Sequence, residues 1–361
     1  MFRLLAVNPG STSTKVAYFH DDVQIFSRTI VHHTEELAPF SSVNDQFQLR
    51  SALIEQILQA ESIDPAQIDA FVGRGGLLRP LAGGTYWVDE EMLDDLRQGV
   101  GGEHASNLGA LIIDVFAKRY QKPAFIVDPV VVDEMDDLAR LSGHPLFPRK
   151  SIFHALNQKS VARKAASQLG KSYSEVNLVV AHLGGGISVG AHRCGRVIDV
   201  NNALDGEGPF SPERSGTLPC GDLVRYCFSG AAGLKQVLKM IKGEGGMVAY
   251  LGSNDIREIL EKINAGDVEA ERIYRGMAYQ VAKQIGQKAV VLKGKVDAIV
   301  LTGGITNDKL IVSWIEEYVS FLAPVLVFPG EEEMQALAEG ALRVLRGEEV
   351  ALIYREKMIK K

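Results

Sequence analysis

The sequence predicts an α/β fold built from two duplicated halves. Three observations carry the prediction: apolar strand-like runs alternate with helical patterns, the alternation restarts near residue 150, and a hairpin plan at residues 2–26 returns at residues 176–200. Alternation of this kind lays helices over a mixed or parallel sheet. Residues 4–7, 16–19, 71–72 and 125–127 are short and apolar and are expected as strands. Residues 48–60 and 106–120 repeat apolar side chains at three- and four-residue spacing, which predicts helices. In the second series, 154–169, 257–264 and 270–292 read as helices, and 178–181, 187–191, 298–302 and 325–328 as strands. At roughly 150 residues per domain, 361 residues suggest two domains. The proline-bracketed segment 144–148 is the best boundary, giving a first domain of residues 1–148, rejoined by a C-terminal helix at about 334–361, and a second of 149–333.

The repeat is FRLLAVNPGSTSTKVAYFHDDVQIF (2–26) against VNLVVAHLGGGISVGAHRCGRVIDV (176–200). A shift of 174 places Asn8 on His182 and Gly10 on Gly184. Each copy is an apolar strand, a polar residue, a Gly/Ser/Thr turn, a second strand, another turn and a third strand. This plan resembles the actin-like (ribonuclease H-like) ATPase fold, which implies nucleotide phosphates in a cleft between two such hairpins.

In Asn8-Pro9-Gly10-Ser11-Thr12-Ser13-Thr14-Lys15, four hydroxyls and a lysine crowd one turn. Backbone N–H groups at Gly10, with the hydroxyls of Ser11 and Ser13, can cradle phosphate oxygens, Lys15 adds a point charge, and Asn8 can meet a phosphate or a Mg²⁺-bound water. Ala181-His182-Leu183-Gly184-Gly185-Gly186 follows an apolar strand, and its three glycines let a phosphate approach the backbone. Leu301-Thr302-Gly303-Gly304-Ile305 is a third strand ending in glycines; such strand ends line ligand crevices. Two commoner nucleotide motifs are missing: Ala165 occupies the first-glycine position of a P-loop ending at Gly170-Lys171-Ser172, and G-x-G-x-x-G does not occur. Gly186-Ile187-Ser188-Val189-Gly190 matches a serine-hydrolase elbow, but strand-like residues follow it where that motif needs a helix.

Composition excludes several classes. With 46% hydrophobic and 23% charged residues the chain can bury real cores and is not disordered. A net charge of −6 argues against a nucleic-acid partner. No apolar run reaches the ~20 residues of a membrane span, and the opening run stops at Asn8-Pro9-Gly10, too early for a signal peptide. The three scattered cysteines, Cys194, Cys220 and Cys227, suit a reducing cytoplasm rather than a disulfide framework.

Taken in order, these motifs resemble the acetate and butyrate kinase family within the actin-like phosphotransferases. NPGSTSTK is similar to its first phosphate loop, AHLGGGIS to its second and LTGGI to its adenosine motif. FVGRGGLL (71–78), GEHASNLG (102–109), DPVVVDEM (128–135), SIFHALNQK (151–159), NNALDGEGPFSPERSG (201–216) and FPGEEE (328–333) resemble the butyrate branch, so the likeness spans nearly the whole chain. It implies that Arg74 and Arg214 grip the substrate carboxylate and the phosphoryl group in flight, that Asp128 acts through Mg²⁺, and that His182 hydrogen-bonds the transferring group with His154 in support. It also implies that Asp255 and Arg257 flank the nucleotide beside Gly303 and Gly304, that Glu332 or Glu333, with Glu333 favoured, lies near the metal, and that the chain forms a homo-oligomer, at least a dimer. Acetate kinases carry Asn where Gly185 stands, GEN where Thr306-Asn307 stand, and GTSH where ALNQ follows His154; all three departures favour the butyrate branch.

The implied reaction moves the ATP γ-phosphoryl to a short-chain carboxylate, giving an acyl phosphate and ADP. The expected acid is butyrate, with isobutyrate, valerate, propionate and acetate as alternatives. An ATP-binding sensor without an acid substrate is the rival of another class, disfavoured because it does not require Arg74 and Arg214 together. A carboxylate is already ionised at pH 7, so no general base is needed. Positioning and charge neutralisation carry the rate.

Overall fold

The computed structural model describes residues 1–357 and divides into two compact units, Met1–Asp133 with Glu332–Lys361, and Glu134–Glu331. Residues 358–361 of the expected C-terminal helix lie outside the described residues.

In the first unit, β1 (Arg3–Pro9), β2 (Ser13–His20) and β3 (Val23–Val31) form an antiparallel meander. Next, β4 (Ala70–Arg74) joins β1 in parallel, β5 (Thr85–Trp87) forms the edge, and β6 (Ala124–Val127) joins β4 in parallel. The sheet order is β3-β2-β1-β4-β6-β5. Leu4, Leu5, Ala6 and Val7 are all buried because β1 is central, with helices over the sheet rather than solvent. Helix Leu108–Tyr120 packs directly on β4. A Cβ on Gly73 would come within 2.7 Å of the Gly109 carbonyl oxygen, and one on Gly109 would strike the backbone of Arg74. This close approach places Arg74 at the end of its strand and explains why FVGRGG and the SNLG of the helix start both need glycine.

In the second unit, β7 (Asn177–Leu183), β8 (Ile187–Arg193) and β9 (Arg196–Val200) repeat the meander, and β10 (Ala298–Gly303) and β11 (Val325–Pro329) add the parallel strands. The order β11-β10-β7-β8-β9 mirrors β6-β4-β1-β2-β3 of the first sheet. Each meander also carries one register shift, β2–β3 at Tyr18/Phe19 and β8–β9 at Ala191/His192, one residue apart in the repeat. The long helix Val268–Val291 covers this sheet, burying Tyr274, Met277, Ala278, Val281 and Ile285 against Val189 and Leu301.

The expected strands and helices up to residue 328 are all present. Helices Glu90–Gln98, Cys220–Phe228, Leu234–Ile241 and Lys309–Val319, and the three-residue β5, were not anticipated. Residues 134–148, assigned by sequence to the first domain, group with the second unit instead. The physical reason is local: Asp136 N–H donates to the Ile198 carbonyl at 2.9 Å, Asp136 pairs with Arg193, and Lys159 pairs with Glu134 at 2.9 Å in the interior. The C-terminal segment belongs to the first unit, but as helix Glu333–Leu345, an extended stretch bridging Leu352 to Tyr86, and a short helix Tyr354–Lys357.

Candidate active site

Each sheet gathers candidate residues at the carboxyl ends of its parallel strands. In the first unit, Val7, Gly73 and Ile126 share one rung, so Asn8 and Arg74 follow it by one residue on β1 and β4, and Asp128 by two, just past the end of β6. Helix Glu333–Leu345 of the same unit brings Glu333 to them. Asn8 Nδ2 donates to Glu333 Oε2 at 2.6 Å, and Arg74 Nη1 lies 3.0 Å from Glu333 Oε1 and 3.3 Å from Asn8 Oδ1. Glu332, the helix-capping residue, is exposed. Asp128 is buried with φ +37°, and it is latched to the turn before β5. Gly84 N–H donates to Asp128 Oδ1 at 2.7 Å, and Asp128 N–H returns a bond to the Gly84 carbonyl at 3.0 Å.

The loop between β1 and β2 is closed by Gly10 N–H donating to the Ser13 carbonyl at 2.7 Å. Ser11, Thr12 and Lys15 are exposed, and Lys15 sits opposite Asn8 in the ladder. Beneath the loop lies a residue that sequence reasoning missed. Arg50 is fully buried on the inward stripe Arg50–Ile54–Leu58 of helix Phe47–Ala60. Its guanidinium donates to the Gly10 carbonyl (2.8 Å), the Ser13 carbonyl (3.1 Å), Thr14 Oγ1 (3.0 Å) and the Ser11 carbonyl (3.3 Å). Burial pulls its pKa below the usual guanidinium value. An arginine at an apolar helical position was the available signal, since a buried cation must find acceptors.

In the second unit, His182 stands at the end of β7 beside Thr302 of β10, and the glycines follow. Ser211 Oγ donates to the Gly185 carbonyl at 2.6 Å. Gly303, with φ +95°, presses on the Leu183 backbone so closely that any Cβ would overlap the Leu183 carbonyl oxygen, whereas Gly304 faces open space. The Arg214 guanidinium lies where a Cβ of Gly186 would be. Its Nη1 donates to the Ala203 carbonyl at 2.7 Å, while its buried Nε has no hydrogen-bond partner among the described residues. Burial lowers its pKa, opposed by Glu213 and Asp205. An unpaired buried donor beside a glycine loop is poised for an anion.

The rings of His154 and His182 stack with centroids 3.8 Å apart at 11°. His182 Nδ1 bonds Asn157 Oδ1 at 2.7 Å, and its Nε2 lies 3.0 Å from Glu331 Oε1 without hydrogen-bond alignment. Asp255 caps helix Ile256–Asn264 and pairs with exposed Arg257 at 2.6 Å; that ion pair lowers the Asp255 pKa to about 2. The adjacent Asn254 reaches Glu213 at 3.4 Å, and Glu213 borders Gly185, which brings this segment to the glycine loop.

Residues 120–323 match the acetokinase family. Across 98% of this chain and 99% of its own length, butyrate kinase 2 of Clostridium acetobutylicum is 55% identical. The chain belongs to the acetokinase family. Butyrate kinase 1 of the same organism is 53% identical over 98% of this chain and 100% of its own. Among solved structures, acetate kinase from Porphyromonas gingivalis superposes with a TM-score of 0.78 at 19% identity, covering 96% of this chain and all of its own. A propionate kinase from Francisella tularensis gives 0.70 at 19% identity over 94% and 99%. At such identities the likeness is one of fold, the actin-like ATPase fold. Within this acetokinase-family chain, Asn157 and Arg50 remain the contacts that motif reading did not single out.

Proposed function

We propose that this chain is a butyrate kinase. A butyrate oxygen attacks the γ-phosphorus of ATP, the bond to the β,γ-bridging oxygen breaks, and butyryl phosphate and ADP result. The observation that carries the reading is 55% identity to a butyrate kinase along nearly the whole chain.

The site geometry supports roles for each residue. Arg214, with its unpaired buried Nε beside Gly186, is suited to hold a phosphoryl oxygen, and Arg74 to hold a carboxylate or phosphoryl oxygen at the end of β4. Fork-shaped guanidinium donors match such oxygens. The incoming carboxylate is already ionised, so no side chain needs to take a proton from it. His182 and His154 offer ring nitrogens at the second glycine loop. The loop at Gly10, Ser11, Ser13 and Lys15 and the loop at Gly184, Gly185 and Gly186 take the phosphates. Gly303, Gly304, Asp255 and Arg257 take the nucleoside end.

Mg²⁺ is expected with ATP. Among the described residues no group of three or more His, Cys, Asp or Glu is placed to hold a metal ion. That suits an ion held mainly by phosphates and water, with one or two protein carboxylates. Asp128 and Glu333, with Asn8, are the residues that would hold it, and Glu332 is the less favoured neighbour. When bound, Mg²⁺ neutralises charge on the phosphate oxygens.

No helix among the described residues is long and apolar enough to cross a membrane. We further propose a cytoplasmic homo-oligomer, at least a dimer; the exposed apolar side chains of Val224, Phe228, Leu234 and Leu238 support an assembly. Trapping acyl phosphate with hydroxylamine, over a panel from acetate to hexanoate with Mg-ATP, tests the function. A maximum at butyrate or isobutyrate supports it, a maximum at acetate refutes the substrate, and no acid-dependent product refutes the kinase reading.

A further inference from the structure

The G-x-S-x-G pattern at 186–190 has no nucleophile to present: Ser188 is fully buried within β8. Its contacts point to another task. Gln158 Nε2 lies 3.0 Å from the Ser188 carbonyl oxygen, which can only accept, so this end of the amide carries the hydrogens. Gln158 Oε1 therefore faces His192 Nε2, 3.0 Å away, and accepts its proton. His192 Nδ1 is left to accept from the Tyr173 hydroxyl at 2.7 Å. The second N–H of Gln158 donates to Ser188 Oγ at 2.8 Å. Another donor, the His154 backbone N–H, approaches the same oxygen at 3.5 Å. A hydroxyl has one hydrogen and two lone pairs. With donors on two sides, Ser188 sends its hydrogen to the third neighbour, His154 Nδ1, at 2.8 Å.

We propose that Gln158 and Ser188 are positioning residues that hold His154 as the neutral tautomer with its proton on Nε2. The proposal rests on the kinase reading above, in which His154 serves the transferring group. An Nε2–H offers that anionic group a donor; the other tautomer would turn a lone pair toward it. Gln158, Ser188 and His192 are each fully buried, so the chain of bonds is shielded from water and its direction is set at one end by a backbone carbonyl. The same arrangement explains the glycines of the pattern. A Cβ on Gly190 would sit 2.7 Å from Gln158 Oε1 and 3.1 Å from His192 Nε2, breaking the relay, while one on Gly186 would displace Arg214.

The test is nitrogen-15 NMR of protein labelled at histidine, in which the two tautomers give different couplings, alongside the hydroxylamine assay. The wild type is expected to show the Nε2–H pattern for His154. In Gln158→Glu, residue 158 no longer donates to Ser188 Oγ. The hydroxyl turns toward it, and His154 Nδ1 gains a proton. We expect that change in pattern, with kcat down ~10²-fold and KM for ATP within about twofold. Should Gln158→Glu fail to fold, Ser188→Ala reads the same link: kcat falls, and Ser188→Thr, which keeps the hydroxyl, restores both rate and pattern. A wild-type Nδ1–H pattern, or an Nε2–H pattern that survives Gln158→Glu, overturns the proposal. So does a changed pattern with unchanged kcat. A wild type that makes no butyryl phosphate overturns the kinase reading instead, and the NMR result does not depend on turnover.

Discussion

Gly186→Ala tests whether the second glycine loop exists to make room for an arginine. Gly186 does not adopt the left-handed backbone that favours glycine, so alanine fits the backbone without strain. The conflict lies entirely with a side chain. The new Cβ would overlap Arg214 Nη1 and Cζ and sit 3.0 Å from Nε, whereas ordinary contact begins at 3.4 Å. The guanidinium is the far end of a flexible chain, so it should yield by at least about 1 Å, a displacement that typically costs ~10²-fold in rate. Its bond to the Ala203 carbonyl would be lost as well. One buried hydrogen bond costs about 1–3 kcal/mol, and each kcal/mol lowers Tm by about 2–4 °C for a unit of this size. The expected variant is folded, a few degrees less stable, and ~10²-fold lower in kcat for butyryl phosphate by hydroxylamine trapping. Because the three atoms nearest the added methyl all belong to Arg214, adding Gly186→Ala to Arg214→Ala should change little further. A folded Gly186→Ala with kcat within about twofold of wild type would refute the reasoning, as would fully additive losses.

Arg74→Ala and Arg214→Ala should each lower kcat by ~10²–10³-fold in folded protein, the usual loss for one transition-state donor; wild-type-like turnover would remove that arginine from the mechanism. Arg50→Leu takes one cation from four loop acceptors, so it should destabilise the first unit by about 1–3 kcal/mol in urea unfolding, and raise KM for ATP more than it lowers kcat. Burial, with Lys159 and Arg163 nearby, holds His192 well below its ordinary pKa of 6.5 in the folded state. Below that pH the unfolded chain binds a proton that the fold refuses, so stability is complete above about pH 6.5 and falls as pH drops, by about 1.4 kcal/mol per unit. Unfolding curves of His192→Gln between about pH 5 and 7 should lack that component of the slope. Removing divalent ions with EDTA should abolish acyl phosphate formation and Mg²⁺ should restore it; full activity in EDTA would rule out an essential metal.

Much of the fold was legible because its signals are local. The strand of residues 4–7 and its counterpart in the repeat, 178–181, announce themselves by apolar runs, and each is a fully buried central strand of its own sheet. The helix of 106–120 shows its spacing within three turns, and the glycine loops sit at strand ends where turn chemistry puts them. The duplication was readable because residues 2–26 and 176–200 share one local plan of strand, polar residue, glycine turn, strand, turn and strand. Helix Cys220–Phe228 was missed because it buries none of its residues and so carries no inward stripe to recognise. Edge strand β5 is three residues long, too short for a period to show.

What the sequence determined by itself, then, is set by neighbours a few positions apart: strand and helix periods, the turns that open the glycine loops, and the order of motifs that marks the family. Choosing Glu333 over Glu332 as the partner of Asn8 and Arg74 belonged to the tertiary structure, since those contacts span 325 and 259 positions. So did Arg50 beneath the first loop, and the assignment of residues 134–148 to the second unit. The direction of the bonds from Tyr173 to His154 was decided there too, because it depends on which atom faces an acceptor-only carbonyl. A one-dimensional pattern records how often a side chain must face inward. It does not record what that side chain meets there, and in this protein the meetings orient the groups proposed to handle phosphate.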